Sequence, residues 1–80
     1  MLLMAFDSTQ QAIRAEMLLD YAEIENDICP TPKEVTAGCA LSLQFPREDY
    51  ERVKEIVAEE KIEIRGIYFK KDNEYVTMEA

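Results

Sequence analysis

Hydrophobic positions follow two alternating periods along this chain. Leu2-Leu3-Met4-Ala5-Phe6 is a continuous apolar run ended by Asp7-Ser8, the pattern of a buried strand. The period then lengthens. Ala12, Ala15, Leu18, Leu19 and Ala22 form one apolar stripe while Glu16, Asp20 and Glu23 gather on an acidic face, which predicts a helix from Thr9 to about Tyr21. Ser8 and Gln11 read as its capping box. A short strand is expected over 24–28, where the chain must return. Cys39-Ala40-Leu41-Ser42-Leu43-Gln44-Phe45 alternates cleanly, with Cys39, Leu41, Leu43 and Phe45 on one face. Pro46 suits a first helical position, and Tyr50, Val53, Ile56 and Val57 give the stripe of a second helix ending near Lys61. Ile62 to Phe69 is β-rich with Gly66 as a bulge. Asp72-Asn73 can turn the chain so that Tyr75-Val76-Thr77-Met78 pairs back as a fifth strand, with a tail as the alternative.

Between these elements lies Ile28 to Cys39, which holds both cysteines, two of the three prolines and one of the two glycines. Thr31, Pro32 and Glu34 have the spacing of a capping box with proline at the first helical position, so a short helix is expected there, closed by Gly38 in the left-handed conformation. Cys29 would then precede the helix N-terminus, where backbone N–H groups favour a thiolate, and Cys39 would follow its C-terminus, where the dipole opposes one. Local electrostatics on this reading favour Cys29. A two-turn helix would hold the two attachment points about 10 Å apart, beyond the roughly 7 Å that a disulfide spans.

Setting Phe6 on Phe45 reveals a coarse internal repeat. Leu2 and Met4 fall on Leu41 and Leu43, a helix follows each Phe, and Ile28 falls on Ile67. Two βαβ halves of about 40 residues each describe an α+β ferredoxin-like β-α-β-β-α-β sandwich, with both helices on one face of an antiparallel sheet and an extra C-terminal strand. The expectation is a single domain over 1–80, with the cysteine stretch in an exposed loop free of core duty.

Composition narrows the chemistry. Nine basic residues against 17 acidic ones leave a net charge of −8, so nucleic acid and anionic membranes are disfavoured as partners and a basic protein surface is favoured. No apolar run approaches the roughly 20 residues of a membrane span, and the apolar start lacks the basic residues of a secretory signal, so a cytoplasmic protein with reduced thiols is expected. Histidine is absent. That removes the commonest general base and metal ligand and any Cys/His pair, so neither a metal site nor a cofactor is expected.

The chain resembles the selenium/sulfur carrier-like family of small bacterial proteins, over nearly its whole length. The resemblance rests on Phe6-Asp7-Ser8-Thr9, Ala15-Glu16, the block Pro30-Thr31-Pro32-Lys33-Glu34-Val35-Thr36-Ala37-Gly38-Cys39-Ala40, Phe45-Pro46 and Gly66-Ile67-Tyr68. Departures are Lys33 where the family has Arg, Thr36-Ala37 for Ser-Ser, and Ala40 where the family usually has Gly. The resemblance implies that Cys39 is the family's cysteine. Cys29-Pro30-Thr31-Pro32 has in addition the Cys-Pro-x-Pro pattern of the TusA-like sulfur-relay proteins, which implies a persulfide on Cys29. Either likeness implies a carrier, not a free-standing enzyme: a thiolate takes a sulfur or selenium atom from a donor protein, holds it as a persulfide or selenium analogue, and yields it to an acceptor protein. Such exchange needs a cation or donor near the thiolate, for which Lys33 or the capped N–H groups are the candidates. The alternative is a non-catalytic interaction module with inert cysteines, whose exposed sheet edge pairs with a second copy as a homodimer or with a larger protein. On that reading each cysteine is a small buried apolar side chain, as alternation alone would make Cys39.

Overall fold

The computed structural model describes residues 1–78. Strand β1 (Leu2–Ala5) leads into helix α1 (Thr9–Tyr21), edge strand β2 (Asp27–Pro30), strand β3 (Leu41–Phe45), a 3-10 turn (Arg47–Asp49) continuing into helix α2 (Tyr50–Glu59), and strands β4 (Gly66–Lys71) and β5 (Glu74–Thr77). The strands form one sheet in the order β2-β3-β1-β4-β5, with every neighbouring pair antiparallel. The two halves of the internal repeat are visible as β1-α1-β2 and β3-α2-β4, and the β4–β5 hairpin follows them.

Both helices cover the same face. Alternation along β1 sends Leu2 and Met4 to that face with Leu43, Phe45 and Ile67, where they pack against Ala12, Ala15 and Leu19 of α1 and Val53 of α2. The opposite face carries Leu3 and Ala5, and here the segment after β2 folds back over the sheet. Val35, only 5% exposed, packs on Leu3 and Ala5 with Cys29, Ala37, Tyr68 and Tyr75 around them. β1 is therefore buried on both sides, which is why its sequence is an unbroken apolar run.

The helix ends are built alike. Glu23 and Lys61 adopt left-handed φ values of 60° and 53°. Glu23 N–H donates to Asp20 and Ile24 N–H to Leu19; Lys61 N–H donates to Ala58 and Ile62 N–H to Val57, which is the Schellman pattern at both ends. Ile24 and Ile62, just beyond these turns, are buried and lock each helix to the core.

Several local expectations are corrected. No helix forms over 32–37; a single turn, Val35 N–H to the Pro32 carbonyl, is all that remains. The Thr31 hydroxyl bonds the Ser42 hydroxyl at 2.6 Å and donates to the Cys39 carbonyl at 3.0 Å instead of capping a helix. The loop is also not free of core duty, since Val35 and Cys39 are buried. Ser8 caps α1 by position without a side-chain bond, and Gln11 accepts from Glu63 N–H across the helix layer instead. β3 begins at Leu41, not Cys39. Pro46 caps the 3-10 turn, and the α-helix proper ends at Glu59. Gly66 opens β4 opposite Ala5 with no bulge, and 62–65 precede the strand. The expected turn at Asp72-Asn73 is present, with φ of 50° and 67° at its centre, the primed geometry that matches strand twist. The fifth strand pairs as a hairpin, Tyr68 to Lys71 against Glu74 to Thr77.

Candidate functional site

Two sequence blocks far apart in the chain meet at the end of β1. Cys39 N–H donates to the Phe6 carbonyl at 3.1 Å, and Gly38 N–H donates to Asp7 Oδ1 at 2.8 Å. Gly38 is not in the left-handed region; it is small because the backbones touch. A Cβ there would lie 2.9 Å from the Asp7 carbonyl oxygen, a distance that real side chains do not sustain. Arg65 adds an exposed contact, 3.9 Å from Asp7 Oδ2.

This docking seats the Cys39 sulfur, in a residue only 4% exposed, on the helix-covered side of the sheet. Sγ accepts the Leu41 N–H at 3.3 Å and shares a hydrogen bond with Thr9 Oγ1 at 3.4 Å. Thr9 is the first residue of α1, so the sulfur sits at the start of a 13-residue helix, within a small set of oriented donors. Nothing in the chemistry of the sequence singles out Thr9, Asp7 or the Leu41 amide; the signal for them is the turn Phe6-Asp7-Ser8-Thr9, one of the two blocks in contact.

Cys29 lies elsewhere. It faces Ser42 across the β2–β3 ladder, half-buried on the opposite side of the sheet among Val35, Leu3 and Ala5. Because no helix follows it, the expected stabilisation of its thiolate is absent. Burial, and secondarily the negative Asp27, push the Cys29 thiol above its usual value. The expected lowering at Cys29 is therefore corrected to a raising. Both cysteines are free, and the sheet between them, not a short helix, keeps them from pairing.

Lys33 is exposed on the loop, with no hydrogen bond or ion pair to either thiol among the described residues. Among the described residues no three Cys, Asp or Glu side chains converge to hold a metal ion, and no helix is long and apolar enough to cross a membrane. Along α1, Ile13, Met17 and Tyr21 point away from the core at 46%, 65% and 91% exposure, an apolar stripe on the helix whose first turn holds the Cys39 sulfur.

No curated protein and no solved structure matches the chain. Residues 1–69 do match a family, spanning the docked turn, the cysteine loop and the chain as far as Phe69 in β4, and on that match the chain belongs to the family described as "Putative Se/S carrier protein-like".

Proposed function

We propose that the chain is a ferredoxin-like carrier of sulfur or selenium in which Cys39 bears the cargo. One observation carries the reading: Phe6-Asp7-Ser8-Thr9 and Gly38-Cys39, both quoted in the resemblance, are brought together so that the Cys39 sulfur sits against Thr9 Oγ1 and the Leu41 amide. The strand order β2-β3-β1-β4 with both helices on one face supports the ferredoxin-like arrangement. In the transfer step the Cys39 thiolate attacks the outer sulfur of a donor's cysteine persulfide. The Cys39 S–S bond forms, the donor's S–S bond breaks, and the donor cysteine leaves as a thiolate. An acceptor nucleophile then takes the outer atom in the same way, returning Cys39 to its thiolate. Lys33, exposed on the same loop, would offer a cation to the anionic cargo. Donor and acceptor would be proteins, and the apolar stripe of α1 supplies a surface for them.

A second reading is supported by the burial of Cys39: an interaction module with inert cysteines that uses the α1 stripe or the edge strand β2. Intact mass spectrometry separates the two. After incubation of the reduced chain with a cysteine desulfurase and cysteine, the carrier gains one thiol-labile sulfur, keeps that gain in Cys29→Ser and loses it in Cys39→Ser. Absence of any gain, with Cys39 resisting alkylation in the folded protein, selects the interaction module.

A further inference from the structure

On the helix-covered face of the sheet a cavity of about 320 Å³ opens between α2 and the β4–β5 hairpin. Val57, Ile64, Ile67 and Met78 supply an apolar wall, and Tyr50 and Lys54 stand on its α2 side. Met78 is held in place by donating its N–H to the Ile67 carbonyl at 2.7 Å. Among the described residues Lys54 is the single charged one in the lining, and its ammonium lies 5.0 Å from the centre of the Tyr50 ring. A cation resting on an aromatic face at the rim of an apolar cavity complements an anion that carries an apolar body.

We propose that this cavity binds a small apolar monocarboxylate, its tail among Val57, Ile64, Ile67 and Met78 and its carboxylate at Lys54. The volume, at the low end for ligand sites, sets the size of the ligand. The ammonium of Lys54 at the rim sets the sign locally, against a chain of net charge −8. The cavity lining includes none of the groups that hydrogen-bond Cys39, and Thr77 and Met78 lie beyond the residues matched to the family.

The test is a titration of the full-length, 15N-labelled chain with octanoate, with octan-1-ol as the neutral probe, followed by amide shifts. Octanoate should cause saturable shifts at Ile64 to Ile67 and at Thr77 and Met78. Lys54→Met should weaken octanoate about fivefold, as an exposed ion pair allows, and leave octanol unchanged. Ala58→Phe, which fills the rim from an exposed helix position, should weaken both probes. Shifts that fail to saturate, shifts centred elsewhere, or octanol binding as tightly as octanoate with no effect of Lys54→Met would each overturn the assignment.

Discussion

Cys29 and Cys39 lie ten residues apart in sequence but do not share an environment. The Cys39 sulfur is deeply covered yet surrounded by oriented donors; the Cys29 sulfur is more open yet set beside a carboxylate. Accessibility and acidity therefore point in opposite directions at Cys29. In a Cys39→Ser background its alkylation by iodoacetamide should be slow at neutral pH and climb only above the ordinary thiol range, and Asp27→Asn should move that climb to lower pH. A rate profile unaltered by Asp27→Asn would remove the carboxylate as a cause. The same shift bears on stability with a definite sign. The folded state holds the Cys29 proton more tightly than the unfolded chain, so its contribution is intact below the ordinary thiol range and is lost as pH rises through the raised folded value. Cys29→Ala should flatten that alkaline decline in a denaturation series.

At the scale of elements, hydrophobic period located most of the structure. The bounds of α1 are those its stripe predicts, and β1 and the terminal hairpin lie where their apolar run and turn residues place them. Strand bounds depart by a few residues, β2 covering Asp27–Pro30 where 24–28 is expected and β4 opening at Gly66, and further departures lie where spacing alone suggests a side-chain hydrogen bond. Thr31 and Glu34 have a capping-box pattern, but the Thr31 hydroxyl finds the Ser42 hydroxyl and the Cys39 carbonyl, partners more than one turn away that no local pattern contains. Gln11 likewise reaches the backbone of Glu63. The helix ends carry a second lesson, since neither has the glycine that usually marks a left-handed cap. Glu23 and Lys61 fill that place, and their buried neighbours Ile24 and Ile62 hold the geometry. Relieving the conformation should help: Glu23→Gly and Lys61→Gly are each expected to stabilise the fold by about 0.5–1 kcal/mol in chemical denaturation, with no change in the sulfur site. Equal or lower stability would mean that the left-handed cost is already absorbed by side-chain contacts.

At the scale of the whole molecule, the loop between the halves of the repeat is part of the core. Val35 anchors it to one face of the sheet while Cys39 enters the other, and the Gly38–Asp7 contact fastens it to the end of β1. Gly38→Ala should destabilise the chain by about 1–3 kcal/mol, because a Cβ would press on the Asp7 backbone, and should also quicken Cys39 alkylation in the folded state. A loss of stability without faster labelling would separate the fastening from the shielding of the thiol. The sequence offers both thiols as candidates, Cys39 through the family block and Cys29 through its Cys-Pro-x-Pro pattern. The setting of Cys39 is not legible there, because the approach of Gly38 to Asp7 and of Cys39 to Thr9 depends on how two distant segments close on one another.

The placement of the two thiols on opposite faces of the sheet has a redox consequence. If Cys39 is oxidised to a sulfenic acid or left in a mixed disulfide, the chain has no internal resolving thiol that can reach it while folded. Its reset must come from a second molecule, which makes the lifetime of any oxidised form a function of the reductants around it and not of the fold.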